Sequence, residues 1–115
     1  MPLPAYLTQQ PEITPTEAIA RRIGRMGFEV TVTRKGQTLQ LFGVDSDAQG
    51  HATARKAIRT ICEFADSNRL TIEAAVPAIF GGVVVDYEAN GFNVVFETDD
   101  NHEQGAHCLL RRAAA

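Results

Sequence analysis

Three places in this 115-residue chain bring together residue types that could do chemistry. The first is the polar, glycine-containing stretch Asp45 to Gly50, which runs into a helical pattern at His51-Ala52. Main-chain N–H groups at a helix N-terminus have no internal partner and sit at the positive end of the helix dipole, so they attract phosphates. Gln49, Gly50, His51 and Ala52 stand where such a cradle would form, and Gly50 lets the backbone approach a ligand closely. Asp47 brings a negative charge into the same loop and either points away or caps the helix. A phosphate cradle and a plain capped loop are therefore both open readings. The second place is Tyr87, whose phenol stays protonated at neutral pH and can give a proton to a leaving group within hydrogen-bond reach, or else packs on a sheet. The third is a pair of scattered carboxylates, Asp45 and Glu73, each a candidate base directly or through water, and each also an ordinary solvated acid. Asp99, Asp100, His102, Glu103 and His107 have metal-binding side chains but read as a polar loop with chance histidines, so no metal is expected. No Ser-His-Asp or Cys-His arrangement and no P-loop is readable.

The elements that must position these residues follow from periodicity. An extended arm with Pro2, Pro4 and Pro11 is expected over residues 1–13, ahead of a single domain over 14–112. Thr14-Pro15-Thr16-Glu17 opens a helix as a capping box with proline in the first turn. Ala18, Ile19, Ile23 and Met26 give it an apolar stripe, and Gly27 stops it. Phe28, Val30 and Val32 alternate with polar residues as a half-buried strand. A turn at Arg34 to Gln37, with Gly36 at positive φ, leads into a strand over Thr38 to Val44. Leu39, Leu41, Phe42 and Val44 suggest that this strand is buried on both faces. A helix over Ala52 to Ser67 buries Ala54, Ile58, Ile61, Cys62 and Ala65 and exposes Arg55, Lys56, Arg59, Glu63 and Asp66. Leu70 to Val76 alternates as a strand closed by Pro77. Residues 78–90 are ambiguous: Val83-Val84-Val85 favours a strand, Gly81-Gly82 a break, and Asp86 to Gly91 a helix end. Strands over Phe92 to Thr98 and His107 to Arg111, joined by a polar loop over 99–105, complete a mixed α/β order.

Composition bounds the reading. Hydrophobic residues make up 44% and charged residues 22%, an ordinary globular balance. The net charge of -3 gives no sign of a nucleic-acid partner. The local clusters Arg21, Arg22, Arg25 and Arg55, Lys56, Arg59 read as solvated helix faces. Cys62 and Cys108 lie among apolar residues and read as small core side chains rather than a disulfide framework. No apolar run approaches the roughly 18 residues of a membrane span, and Met1 to Gln10 lacks the pattern of a secretory signal, so a soluble cytoplasmic protein without membrane partners is expected.

Read in order, three segments resemble the core of the GCN5-related N-acetyltransferase (GNAT) family. That family carries Arg/Gln-x-x-Gly-x-Gly/Ala between a strand and a helix; Asp47-Ala48-Gln49-Gly50-His51-Ala52 keeps the glycine and the small last residue, with Asp47 where Arg or Gln is usual. The helix with Glu63-Phe64-Ala65-Asp66 and the strand Leu70 to Val76 are similar to the family's next helix and splayed strand. Asp86-Tyr87-Glu88-Ala89-Asn90-Gly91-Phe92 resembles the family's Tyr-Glu-x-x-Gly-Phe signature, and Leu109-Leu110-Arg111 its hydrophobic-x-Arg ending. The resemblance covers roughly residues 28–111, with one helix instead of the family's full N-terminal set. It implies an α/β (α+β mixed sheet) domain with a GNAT-like acyl-CoA N-acyltransferase fold, truncated at the N-terminal side.

The resemblance also implies an activity: transfer of an acetyl group from acetyl-CoA, as co-substrate, to an amine of a protein or small molecule. Gln49, Gly50, His51 and Ala52 would then hold the pyrophosphate. Phe42 and Val44 would lie in the strand whose backbone N–H stabilises the oxyanion, where it splays from the Leu70 to Val76 strand. Tyr87 would be the acid for the departing thiolate, and Asp45 and Glu73 the candidate bases. The alternative is a catalytically inactive GNAT-like binding protein, by analogy a phage or bacterial accessory protein, that docks on a protein partner. A plain ferredoxin-like α/β domain is the third reading. The Phe92 to Arg111 strands offer an edge through which a homodimer could pair.

Overall fold

The computed structural model describes residues 13–77, 82–97 and 107–114, apart from the side chains at positions 47, 48 and 107. Most of the expected arm over 1–13 and the expected polar loop over 99–105 lie outside these residues. The elements run α1 (Pro15–Gly24), β1 (Thr31–Lys35), β2 (Thr38–Phe42), the single-turn α2 (Ser46–Gln49), α3 (His51–Asn68), β3 (Thr71–Pro77), α4 (Val83–Glu88), β4 (Asn93–Glu97) and β5 (His107–Arg112).

Local signals set the element boundaries. The Thr14 hydroxyl accepts the Glu17 N–H at 3.1 Å, and Pro15 occupies the first turn of α1, where its missing N–H costs nothing. Gly36, at φ 58°, and Gln37 form the two-residue turn between Lys35 and Thr38. α3 ends at Arg69, which takes the left-handed conformation and returns its N–H to the last carbonyls of the helix.

The five strands form one mixed sheet in the order β1-β2-β3-β5-β4. β2 and β3 are parallel and the other neighbours antiparallel. A parallel pair needs a long crossover, and α3 supplies it. Leu39 and Leu41 of β2, Ile72, Ala74 and Val76 of β3, and Leu110 of β5 are buried in register on one face. They share a core with Ile19 and Ile23 of α1, Ala54, Ala57, Ile58, Ile61 and Ala65 of α3, and Val83 and Tyr87 of α4. Each fully buried Leu, Ile or Val side chain there contributes about 1.5–3 kcal/mol.

Three expectations change. β2 is buried on one face only: Gln40 is exposed and Phe42 is 45% exposed, because the described helices cover a single side of the sheet. The 45–50 stretch is not wholly a loop. Ser46–Gln49 makes one helical turn, closed by the Gly50 N–H on the Ser46 carbonyl at 2.6 Å. The three valines at 83–85 are helical despite their strand propensity. α4 buries Val83 and Tyr87 and leaves Val85 exposed, so packing against the core overrides local preference.

Candidate anion cradle and splayed strand edge

At the end of β2 the parallel ladder stops. Its last pair is Leu41↔Ala74, yet β3 continues to Pro77. Gly43 turns the chain at φ 112°, and a Cβ there would overlap the Glu29 carbonyl oxygen, so only glycine fits. Ala75 to Pro77 thus have β5 on one side and, among the described residues, no ladder partner on the side where β2 departs. Phe42 and Val44 leave from this point: Phe42 is half-exposed, while Val44 is buried in the core.

α2 then delivers the chain to the N-terminus of α3. Gly50 is the N-cap residue at φ 87° and ψ 160°, a conformation other residues rarely adopt, with open space where a side chain would go. Among the described residues no side chain caps α3, and its first turn holds no acidic residue. The first helical hydrogen bond is from the Ala54 N–H to the Gly50 carbonyl at 3.0 Å, so the N–H groups of His51, Ala52 and Thr53 have no acceptor within the helix. The Gly50 N–H is committed to Ser46, and the Gln49 side chain donates to the Gly27 carbonyl at 3.4 Å. The candidate cradle is therefore the first turn of α3, with Gly50 before it.

Asp86 is the residue that the sequence reading passed over. Its side chain on α4 is fully buried, and three donors converge on it from the α2–α3 corner. The Ser46 hydroxyl and His51 Nδ1, at 2.7 Å, meet one carboxylate oxygen, and Arg55 Nε meets the other at 2.6 Å. Burial alone would push this carboxyl up, but the hydrogen bonds from Ser46, Arg55 and His51 hold it below its ordinary value, so it stays ionised. Asn90 adds a link, its Nδ2 donating to the Arg55 carbonyl at 3.3 Å and the Asp86 carbonyl at 3.0 Å. Arg55 is thus half-exposed and ion-paired rather than merely solvated. The only sequence signal for this joint was an acid in a helix otherwise built of apolar residues and Glu88.

Tyr87 follows Asp86 on α4 and packs in the hydrophobic core. It is 1% exposed, its ring edge-on to Phe92 at 5.0 Å between centroids. Burial raises its phenol above the ordinary value, which keeps it protonated. Cys62 nearby is pushed up to about 11 by burial, so it is an inert thiol.

The carboxylates occupy different grooves. Asp45 is half-buried and lines a groove of about 600 Å³ with Gly27, Phe28, Glu29 and Gly43. Glu73 lies on the sheet's open face in a groove of about 350 Å³ with Thr33, Gln40 and Leu109, and it accepts from Arg111 Nη2 at 2.7 Å. Phe42 lines both grooves. Phe42 and Val44 thus lie at and just past the end of β2, Gly50, His51 and Ala52 at the start of α3, Asp45 and Glu73 in separate grooves, and Tyr87 in the core. Among the described residues no cluster of His, Cys, Asp and Glu could hold a metal, and Asp99, Asp100, His102 and Glu103 lie outside them. No described helix is long and apolar enough to cross a membrane.

No family model and no curated protein matches the sequence. Solved structures do match the fold. An acetyltransferase of the GNAT family from Streptococcus pneumoniae superposes with a TM-score of 0.59 at 14% identity, over 75% of this chain and 57% of that one. Arabidopsis thaliana Naa50, in complex with the bisubstrate analogue CoA-Ac-MVNAL, superposes with a TM-score of 0.52 at 11% identity, over 75% of this chain and 63% of that one. The chain thus spans about three fifths of the length of these neighbours, and it has a GNAT-like fold.

Proposed function

We propose that the protein binds acetyl-CoA and transfers its acetyl group to an amine on a protein or small molecule. The observation that carries this reading is a juxtaposition. The ladder between β2 and β3 ends at Leu41↔Ala74, and the chain then leads through α2 to the first turn of α3, which no described side chain caps. A strand edge without its partner can pair with the amides of an extended ligand, and a helix N-terminus can hold that ligand's phosphates. His51, Ala52 and Thr53 offer their N–H groups, with Gly50 giving close access. Naa50, a structural neighbour, was solved with a bisubstrate analogue containing CoA, which supports this use of the fold.

Bound acetyl-CoA would supply an activated acyl thioester. A main-chain N–H of the Phe42 to Val44 segment is the proposed donor to the acyl oxygen, where preorganised donors lower the barrier most. Tyr87 is the proposed proton donor to the leaving sulfur, and Asp45 and Glu73 the proposed acceptors, through water, of the amine's proton. The single domain over 14–112, a cytoplasmic location, and pairing of two copies through the exposed β4 edge, where Val95 and Phe96 are 50% and 58% exposed, belong to the same proposal. The test is thiol release from acetyl-CoA in the presence of pooled amines and peptides. Turnover that falls at least tenfold in Tyr87→Phe supports the assignment; turnover unchanged in that variant removes Tyr87 from the mechanism.

One observation favours a second reading, an inactive GNAT-like binding protein acting on a protein partner. Tyr87 is almost fully enclosed, so its hydroxyl must be uncovered before it can reach a sulfur atom. Acetyl-CoA binding without turnover on any amine would select that reading.

A further inference from the structure

We propose that Asp86 is a positioning residue that sets two side chains, Arg55 and His51, at the anion end of the proposed cleft. This rests on the acetyl-CoA reading above. A buried carboxylate is expensive unless it is paired and hydrogen-bonded. Asp86 is fully buried and ionised, and each of its oxygens is committed to a donor carried by the α2–α3 corner. All three donors lie within ten residues of one another, on α2 and the first turns of α3, where Gly50 is the N-cap residue.

What the carboxylate leaves outside is informative. Arg55 spends Nε on Asp86, and its side chain remains 47% exposed. It lines a groove of about 560 Å³ with Arg22, Ala52, Lys56 and Arg59, facing one acid, Glu63. His51 spends Nδ1, and its side chain remains 57% exposed, so the ring turns its Nε2 edge outward. Nε2 donates to a phosphate once the ring is protonated, and the guanidinium's terminal nitrogens donate at any pH. One buried acid thereby aims two donors beside the first-turn N–H groups of α3, and it ties that corner to α4, the helix that carries Tyr87.

The chemistry of the joint makes the test sharp. Arg55 can only donate. In Asp86→Asn the amide oxygen must turn to Arg55, which leaves the amide NH2 facing His51 and Ser46. Nδ1 must then accept, so the ring proton moves to Nε2. Nitrogen-15 NMR of the full chain in alkaline buffer, with His51→Gln to assign the signal, should show the Nδ1–H tautomer in the wild type and the Nε2–H tautomer in Asp86→Asn. Titration with CoA should show binding weakened roughly tenfold by Asp86→Asn, the usual size for a lost contact with a charged group. In a background carrying both His51→Gln and Arg55→Gln, Asp86→Asn should change affinity less than twofold.

An unchanged tautomer, or an equal loss of affinity in both backgrounds, would overturn the proposal and leave Asp86 a structural residue. Wild-type protein that does not bind CoA would instead overturn the acetyl-CoA reading, and the role of Asp86 in it falls for that reason. Should Asp86→Asn not fold, His51→Gln and Arg55→Gln carry the test. Each must weaken CoA binding several-fold, and wild-type affinity in both would sink the proposal.

Discussion

The two ends of the candidate cleft are built by different means. At the anion end, side chains specify the geometry: Ser46, His51 and Arg55 close on a buried Asp86, and Gly50 supplies a conformation that other residues rarely adopt. At the acyl end the geometry comes from the backbone, where a ladder stops at Leu41↔Ala74 and Gly43 turns the chain away. The side chains proposed to act there are enclosed, as Tyr87 is, or engaged, as Glu73 is with Arg111. The lesson is that substitutions at the anion end should act on binding through named contacts. Substitutions at the acyl end should act first on stability, and on rate only where a polar atom is lost.

The largest expected effect tests the acyl end. Tyr87→Ala empties a ring-sized space in the core and should cost about 3–5 kcal/mol in denaturant unfolding. Tyr87→Phe should cost far less, so a large stability loss in Tyr87→Phe would show that the hydroxyl is part of the packing. At the anion end, Gly50→Leu forces a side chain into φ 87° at about 1–3 kcal/mol and should weaken CoA binding at least tenfold. A smaller effect is expected at the back of the domain. Arg112 donates to both oxygens of Asp66, at 2.7 and 3.0 Å, and to the Asn90 carbonyl at 3.1 Å. Arg112→Ala should cost about 1–2 kcal/mol with little change in CoA affinity, since the pair is partly solvated.

The pH dependence follows from two carboxyls. The hydrogen bonds around Asp86 and the Arg112 hydrogen bond to Asp66 hold both below their ordinary values. A lowered folded-state value contributes stability that is present above the unfolded value, about pH 4, and is lost as the pH falls through the folded one. Acid unfolding should therefore set in below about pH 4, and Asp86→Asn should flatten that limb of the stability curve. The smallest effect is expected at Glu73→Gln, which removes an exposed pair worth under about 1 kcal/mol and should leave CoA affinity unchanged.

Much of the fold was legible because period and position agree. Leu70, Ile72, Ala74 and Val76 alternate in sequence and are all buried, and the α3 face from Ala54 to Ala65 is the one that meets the sheet. Thr14 and Gly36 act as their types suggest. Two things were hidden. Burial of Phe42 depends on what covers the second face of the sheet, which a strand's own pattern does not report. The joint at Asp86 was invisible because its partners stand 31 to 40 residues away, and no local rule pairs an acid with donors at that distance. Gly50 could be singled out because a glycine before a helix has a local physical meaning. Whether the turn after it was capped depended on side chains around it.

The most direct test of the proposed acetyl-CoA site is isothermal titration of the purified protein with acetyl-CoA, with CoA alone as comparison and Gly50→Leu as control. The account predicts micromolar binding of both ligands, weakened at least tenfold in Gly50→Leu. No heat and no thermal stabilisation at millimolar ligand, or equal binding in Gly50→Leu, would contradict it.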